Sequence, residues 1–206
     1  MLNTLFLNPF LFLVWAAALL TAITIHEFAH AWMANRLGDP TPKLQGRLTL
    51  NPLAHLDPIG TLMLLLVRFG WGKPVQFDPY NLKNPKKDSA IISLAGPGAN
   101  ILLAILLSII LRIFLISSIL TPFIVFNVAL AIFNLIPIHP LDGGKILVGL
   151  LPEKDAYEVN KFLDRFGIIL LFLLIFPFAG SSPVSTIISP IINFILNLLL
   201  PGNNII

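Results

Sequence analysis

His26-Glu27-Phe28-Ala29-His30 is the stretch of this chain whose residue types and spacing can do chemistry. Two histidines four positions apart lie on one face of a helix, about 6 Å apart along its axis, so their ring nitrogens can converge on one tetrahedral metal ion. Glu27 lies beside that face, where its carboxylate can take a proton from a water polarised by the ion. The chemistry implied is hydrolysis. Taken alone, such a pattern also arises by chance, and a histidine is most often a satisfied core or surface residue. The context adds weight, because the motif sits in an apolar run. Burying two imidazoles and a carboxylate there costs on the order of several kcal/mol unless they have partners. A cation bound by the histidines and facing the carboxylate removes most of that cost.

A catalytic zinc takes three protein ligands and keeps a fourth position open. The chain has no cysteine, so the third ligand must be His, Asp, Glu or a carbonyl. Asp142, in Asn134-Leu135-Ile136-Pro137-Ile138-His139-Pro140-Leu141-Asp142-Gly143-Gly144, is the candidate, with a helix cap or turn residue before two glycines as the alternative role. Ligand type favours zinc, one per chain, although cobalt or manganese suit the same donors. Pro137 and Pro140 predict a helix locally unwound at membrane depth, which is tolerated where backbone is buried or lines a wet cavity. Asn134 could hold a substrate backbone or stabilise an oxyanion there, or could tie up carbonyls freed by the prolines.

These residues must be positioned by membrane elements. The 206 residues are 56% hydrophobic and 11% charged, against roughly 25% charged in a soluble domain. The hydrophobicity is segmental, with several runs near the roughly 20 residues that span a bilayer. Helices are expected over residues 5–35, 89–116, 122–151, 166–178 and 185–200. The fold class is therefore an all-α polytopic membrane protein, a single integral-membrane domain over 1–206 with about five to six transmembrane helices. The first run lacks the basic start and small-residue cleavage site of a signal sequence.

Residues 36–88 are polar and rich in Pro, Gly and Asn, with a short apolar stretch at 59–69 that suits a re-entrant element better than a span. The segment after Trp71 alternates weakly and predicts a small β-hairpin at the cytoplasmic membrane surface. The net charge of +3 reports topology, not nucleic-acid binding, because Arg36, Lys43, Arg47, Arg68, Lys73, Lys83, Lys86 and Lys87 follow the first helix. Lys145, Lys154, Lys161 and Arg165 surround the third connection. The positive-inside rule makes both groups cytoplasmic and the N-terminus external. His26, His30 and Asp142 then share a depth near the cytoplasmic face, His30 about 9 Å of helical rise before Arg36.

Together these residues resemble the site-2 protease family, the M50-type intramembrane zinc metalloproteases, in its compact prokaryotic branch. The resemblance rests on His26 to His30, on Gly96-Pro97-Gly98-Ala99-Asn100 in the next long helix, and on residues 134–144 in the one after. It implies zinc on His26, His30 and Asp142, Glu27 as base, and Gly96 and Asn100 packed close to the site; helix packing through small and polar residues is the other role for those two. His55 and Asp57, in Asn51-Pro52-Leu53-Ala54-His55-Leu56-Asp57-Pro58, could line a substrate entrance, with a turn role favoured. His139 stands where many relatives carry an apolar residue, and reads as a solvent-facing loop histidine, with a pH-sensitive or supporting role as the alternative. The connections leave no room for a PDZ or CBS domain. The expected substrate is a transmembrane or membrane-associated polypeptide, unwound and added as a strand to the hairpin. The competing function is a metal-binding membrane protein without protease activity, a transporter or an inactive receptor-like relative. A transporter would show repeats or ionisable groups spread along a path, and an inactive relative would lack Glu27 or a ligand.

Overall fold

Asn8 opens the first helix by accepting the amide of Leu11 at 3.0 Å, with Pro9 at the first helical position, where a missing N–H costs nothing. In the computed structural model, which describes residues 8–67, 70–114, 117–177 and 182–201, this helix, α1, runs Pro9–Arg36 and stops before Gly38, whose φ of 110° is left-handed. Its buried face is built from Val14, Ala18, Ala22, Thr24, His26, Ala29, His30, Ala31 and Ala34. The run of alanines lets neighbouring helices approach closely.

The elements that follow are α2 (Thr41–Leu44), a 3-10 turn (Pro52–Ala54), α3 (Pro58–Val67), a second 3-10 turn (Pro79–Asn81), α4 (Pro85–Phe114), α5 (Ser117–Asn134), α6 (Asp142–Leu150), α7 (Glu153–Ile175) and α8 (Pro183–Leu199). Helix α4 is the hub, packing on α1, α5 and α6. One core cluster joins α4, α5 and α8 through Ala104, Leu111, Ile124, Val128 and Leu196. A smaller cluster, Ala34, Leu82 and Ile92, ties α1 to α4 beside the second 3-10 turn.

Among the described residues two helices, α1 and α4, are long and apolar enough to cross a membrane; two shorter apolar helices are Ile119–Asn134 and Pro183–Leu199. Much of the outer surface is apolar. Leu102, Ile105, Leu106, Ile109 and Ile113 on α4, Ile168, Ile169 and Phe172 on α7, and Ile187, Ile191, Phe194 and Leu198 on α8 are all exposed. Faces of that kind are at rest in hydrocarbon, not in water.

Three expectations are corrected. The helix expected over 122–151 is two helices, broken after Asn134 and restarted at Asp142. The unwinding foreseen from the prolines is thus a complete interruption. Tight turns satisfy its backbone: Ile136 N–H donates to Phe133 O at 3.2 Å and Leu141 N–H to Ile138 O at 2.9 Å. The helix expected over 166–178 starts at Glu153, because its first half is amphipathic and carries Glu153 and Asp155 in the first turn, where the helix dipole favours acids. Lys154, Lys161 and Arg165 therefore sit on helical turns rather than in a connection. Where a hairpin was expected, the described residues contain no strand, only a single antiparallel bridge between Leu56 and Gly72. Residues 73–78 form an extended strap without a strand partner. The apolar stretch at 59–69 is helical through Val67 as part of α3, and residues 68 and 69 lie outside the described set, as do 5–7, 115–116 and 178 of the expected helices.

Candidate active site

His26 and His30 project from the buried face of α1 with rings crossed at 86° and centroids 4.6 Å apart. Asp142, the first residue of α6, meets both: its Oδ2 lies 3.1 Å from His26 Nε2 and 3.2 Å from His30 Nε2. One ligand atom from each of the three residues lies within 4.8 Å of the others. Ligands about 2.0–2.1 Å from a tetrahedral zinc sit about 3.3 Å from one another, so the spacing found here suits that ion.

The far nitrogens of both rings are tied down. His26 Nδ1–H donates to Asn100 Oδ1 at 2.6 Å and His30 Nδ1–H to the Ile92 carbonyl at 2.7 Å. Such bonds fix the tautomer that leaves each Nε2 lone pair free for a metal. Asn100 is fully buried, and its Nδ2 donates to Ala22 O at 3.0 Å and to Asn127 Oδ1 at 2.7 Å. Asn127 in turn donates to Phe123 O at 2.8 Å. Three helices are thereby linked behind one imidazole. Gly96 lies against the rings: a Cβ there would come within 2.8 Å of His26 Cε1 and closer still to His30 Nε2. The cradle requires glycine.

Glu27 is held from the other side. Its Oε2 accepts the Val75 N–H of the strap at 2.8 Å. The strap is itself anchored at both ends. At the start, Lys73 N–H donates to His55 O at 2.8 Å, and the buried Arg47 guanidinium donates to the carbonyls of Ala54 and Lys73. At the far end, Asp78 N–H donates to Asp39 Oδ2 at 2.7 Å and Asn81 Nδ2 to Asp39 Oδ1 at 2.8 Å. Burial would raise the pKa of the Asp39 carboxyl, but hydrogen bonds from Thr41, Asp78 and Asn81 outweigh it and hold the pKa below its ordinary value. A cavity of about 890 Å³ lies between the strap, the turn after α5, α6 and α7, lined by Val75, Phe77, His139, Lys145 and Asp164 among others.

The remaining sequence candidates fall outside the cluster. Asn134 donates to Leu130 O one turn back at 3.0 Å, the local role of satisfying helix carbonyls. His55 is fully buried and donates through Nε2–H to Thr49 O at 2.8 Å, and Asp57 Oδ1 caps α3 by accepting Gly60 N–H at 2.7 Å; both serve turns. His139 is not solvent-facing: its side chain is 16% exposed, and Nδ1 meets Asp164 Oδ1 on α7 at 2.9 Å. Gly144 and Gly167 leave it room, since a Cβ on either would strike its ring or backbone. Sequence reasoning missed Asn127, the Val75 amide, Arg47 and Asp39. An asparagine within the apolar run of α5 was the legible signal for the first, as a polar group at that depth needs a partner.

Two histidines, a carboxylate that meets both and an adjacent glutamate, set among helices with apolar outer faces, are a group that could hold a metal ion, the arrangement expected of a membrane-embedded metallopeptidase. Residues 114–174 match peptidase family M50. YwhC of Bacillus subtilis strain 168, a zinc metalloprotease by name, is 36% identical over 176 residues, which is 79% of this chain and 80% of YwhC. Rip2 of Mycolicibacterium smegmatis, of the same designation, is 35% identical over 176 residues, 79% of this chain and 67% of its own. The zinc metalloprotease MJ0392 of Methanocaldococcus jannaschii is 26% identical over 193 residues, 91% of this chain and 49% of its own. No solved structure matches the chain significantly. The chain belongs to peptidase family M50. Its function is that of an intramembrane zinc metalloprotease, and the competing reading without protease activity is not favoured.

Proposed function

We propose that His26, His30 and Asp142 hold one zinc ion per chain, that Glu27 is the general base, and that the substrate is a membrane-embedded or membrane-proximal polypeptide. The observation that carries this reading is the convergence of two Nε2 atoms on Asp142 Oδ2, at 3.1 and 3.2 Å, with both Nδ1 atoms committed elsewhere. A zinc ion held by these three residues would supply a Lewis acid able to polarise a water and the scissile carbonyl. Glu27 takes a proton from the attacking water and returns it to the leaving amine. The Val75 amide fixes one oxygen of Glu27, which leaves the second for proton transfer. Asp142 sits at the positive end of α6, where its charge is favoured. A substrate helix must unwind to expose its amides, and the extended strap at 73–78 offers backbone along which the unwound stretch can lie. Glu27→Gln should abolish cleavage and leave zinc content unchanged; full activity in that variant would falsify the mechanism.

The same proposal includes a multi-pass arrangement with an external N-terminus and a site near the cytoplasmic face. Helix α3 has 10 residues, about 15 Å of rise, half of a hydrocarbon core of roughly 30 Å. It supports an element that enters and returns, keeping Lys73, Lys83, Lys86 and Lys87 on the side of Arg36. Arg36 also lies 5.4 Å over the half-exposed Trp32 ring, a pairing suited to the membrane interface. Single cysteines at Lys83 and Lys154 should label from the same face; labelling from opposite faces overturns the topology.

A further inference from the structure

Lys145 is a cation that the reaction described above does not use. It lies one turn after Asp142 on the same face of α6, lines the cavity of about 890 Å³, and its Nζ stands 4.7 Å from the centroid of the Phe77 ring on the strap. The other charged groups of that lining have partners of their own. Lys86 pairs with Glu153 at 2.8 Å and donates to Leu151 O at 2.8 Å. Asp164 pairs with His139 and accepts Asn160 Nδ2–H at 2.8 Å, and at 60% exposure it is screened by solvent. Among the described residues no carboxylate lies within ion-pair distance of Lys145. The carboxylates whose fields reach it are Asp142 and Glu27. Asp142 is committed to the imidazoles and Glu27 to the Val75 amide.

The charge balance of the loaded site gives this ammonium a meaning. Zinc brings two positive charges, which Asp142 and Glu27 offset, and both imidazoles are neutral as ligands. One positive charge is left over, held against an aromatic face in the wall of the cavity beside the strap. A partly shielded cation of this kind favours an anionic partner and disfavours a second cation.

We propose that Lys145 is a specificity-determining residue, selecting substrate segments that place an acidic side chain in the cavity beside the scissile bond. The inference rests on the protease reading above and adds the chemical class of residue the site accepts. The test uses zinc-loaded protein in detergent and three peptides, identical except that one residue within about three positions of the scissile bond is Glu, Gln or Lys. Affinities are measured by fluorescence anisotropy on the Glu27→Gln protein, and kcat/KM on the unaltered one. The Glu peptide should bind about 5- to 10-fold more tightly than the Lys peptide. Adding Lys145→Gln should bring the two within about twofold, and adding Lys145→Glu should reverse their order, a result that general loss of packing cannot produce. If Lys145→Glu does not fold, the flattening in Lys145→Gln decides alone. Equal kcat/KM for all three peptides in an enzyme that cleaves them overturns the Lys145 assignment and leaves the protease standing. Absence of cleavage with the charge order of binding intact overturns the protease and leaves the site.

Discussion

Replacing Asn100 by alanine isolates the part of the site that sets the state of His26. In the native arrangement His26 Nδ1–H donates to Asn100 Oδ1 at 2.6 Å, and Asp142 Oδ2 faces the Nε2 lone pair at 3.1 Å. Without the amide, the proton of the metal-free ring moves to Nε2, where Asp142 accepts it. Zinc binding must then drive it back to Nδ1, a buried position with no acceptor. An unpaired buried donor costs about 1–3 kcal/mol, so zinc affinity should fall about 5- to 150-fold. That range encloses the 10- to 100-fold loss typical of removing a group that orients a metal-bound histidine. Folding should weaken as well, by about 3 kcal/mol for three lost bonds at about 1 kcal/mol each. Zinc affinity measured by chelator competition, on protein whose fold is verified by thermal unfolding, reads the two effects separately. Asn100→Asp is the matched control: it keeps an acceptor for His26 but turns an oxygen toward Ala22 O and Asn127 Oδ1, so it should cost more stability than zinc affinity. A folded Asn100→Ala protein that binds zinc within about twofold of the unaltered chain refutes the tautomer argument.

Gly96→Ala should expel zinc, because its Cβ would overlap both imidazoles, whereas Gly98→Ala, with nothing within 4 Å of its Cβ, should retain full metal content; equal content in the two variants, measured by metal analysis, would contradict the cradle. Arg47→Met removes the buried donor to the Ala54 and Lys73 carbonyls and should lower kcat more than tenfold with zinc retained, as the Val75 amide loses its register on Glu27. Because the folded pKa of Asp39 lies below its ordinary 3.8, the stability it contributes is complete above that pH and is lost as pH falls through the folded value. The difference in thermal midpoint between the unaltered chain and Asp39→Asn should therefore shrink on acidification below about pH 3.8 and not before.

What the sequence made legible follows from which interactions are local. His26 and His30 are one helical turn apart, so their convergence needed only α1 to form. Asp142 could be assigned because few ligand types exist in this chain and because topology put it at the same depth. Long apolar runs marked α1, α4 and α8 to within a few residues. The start of α7 was missed because Glu153 to Arg165 is amphipathic and charged, and a search for apolar runs stops at its middle. The strap was misread as a hairpin for a different reason. Weak alternation from Lys73 to Asp78 reflects extended backbone, and extended backbone needs a partner, but apart from the His55 carbonyl the partners here are side chains. Glu27, Arg47 and Asp39 are separated from it by up to 48 positions, and no local pattern announces bonds of that range. The three bonds of Asn100, to a ring, a helix carbonyl and a neighbouring amide, are likewise visible only once α1, α4 and α5 are packed.

The double anchoring of the segment over Glu27 bears on how a protein chain can be consumed. Six residues tethered at Arg47 and at Asp39 can bow outward but cannot swing clear like a door hinged on one side. On the proposed function, a polypeptide would slide in lengthwise, one drawn-out stretch at a time, along the furrow that Phe77 and Lys145 border. An intact helix, about 10–12 Å across with its side chains, is broader than a single drawn-out chain, so an unwound stretch is the form that suits this path.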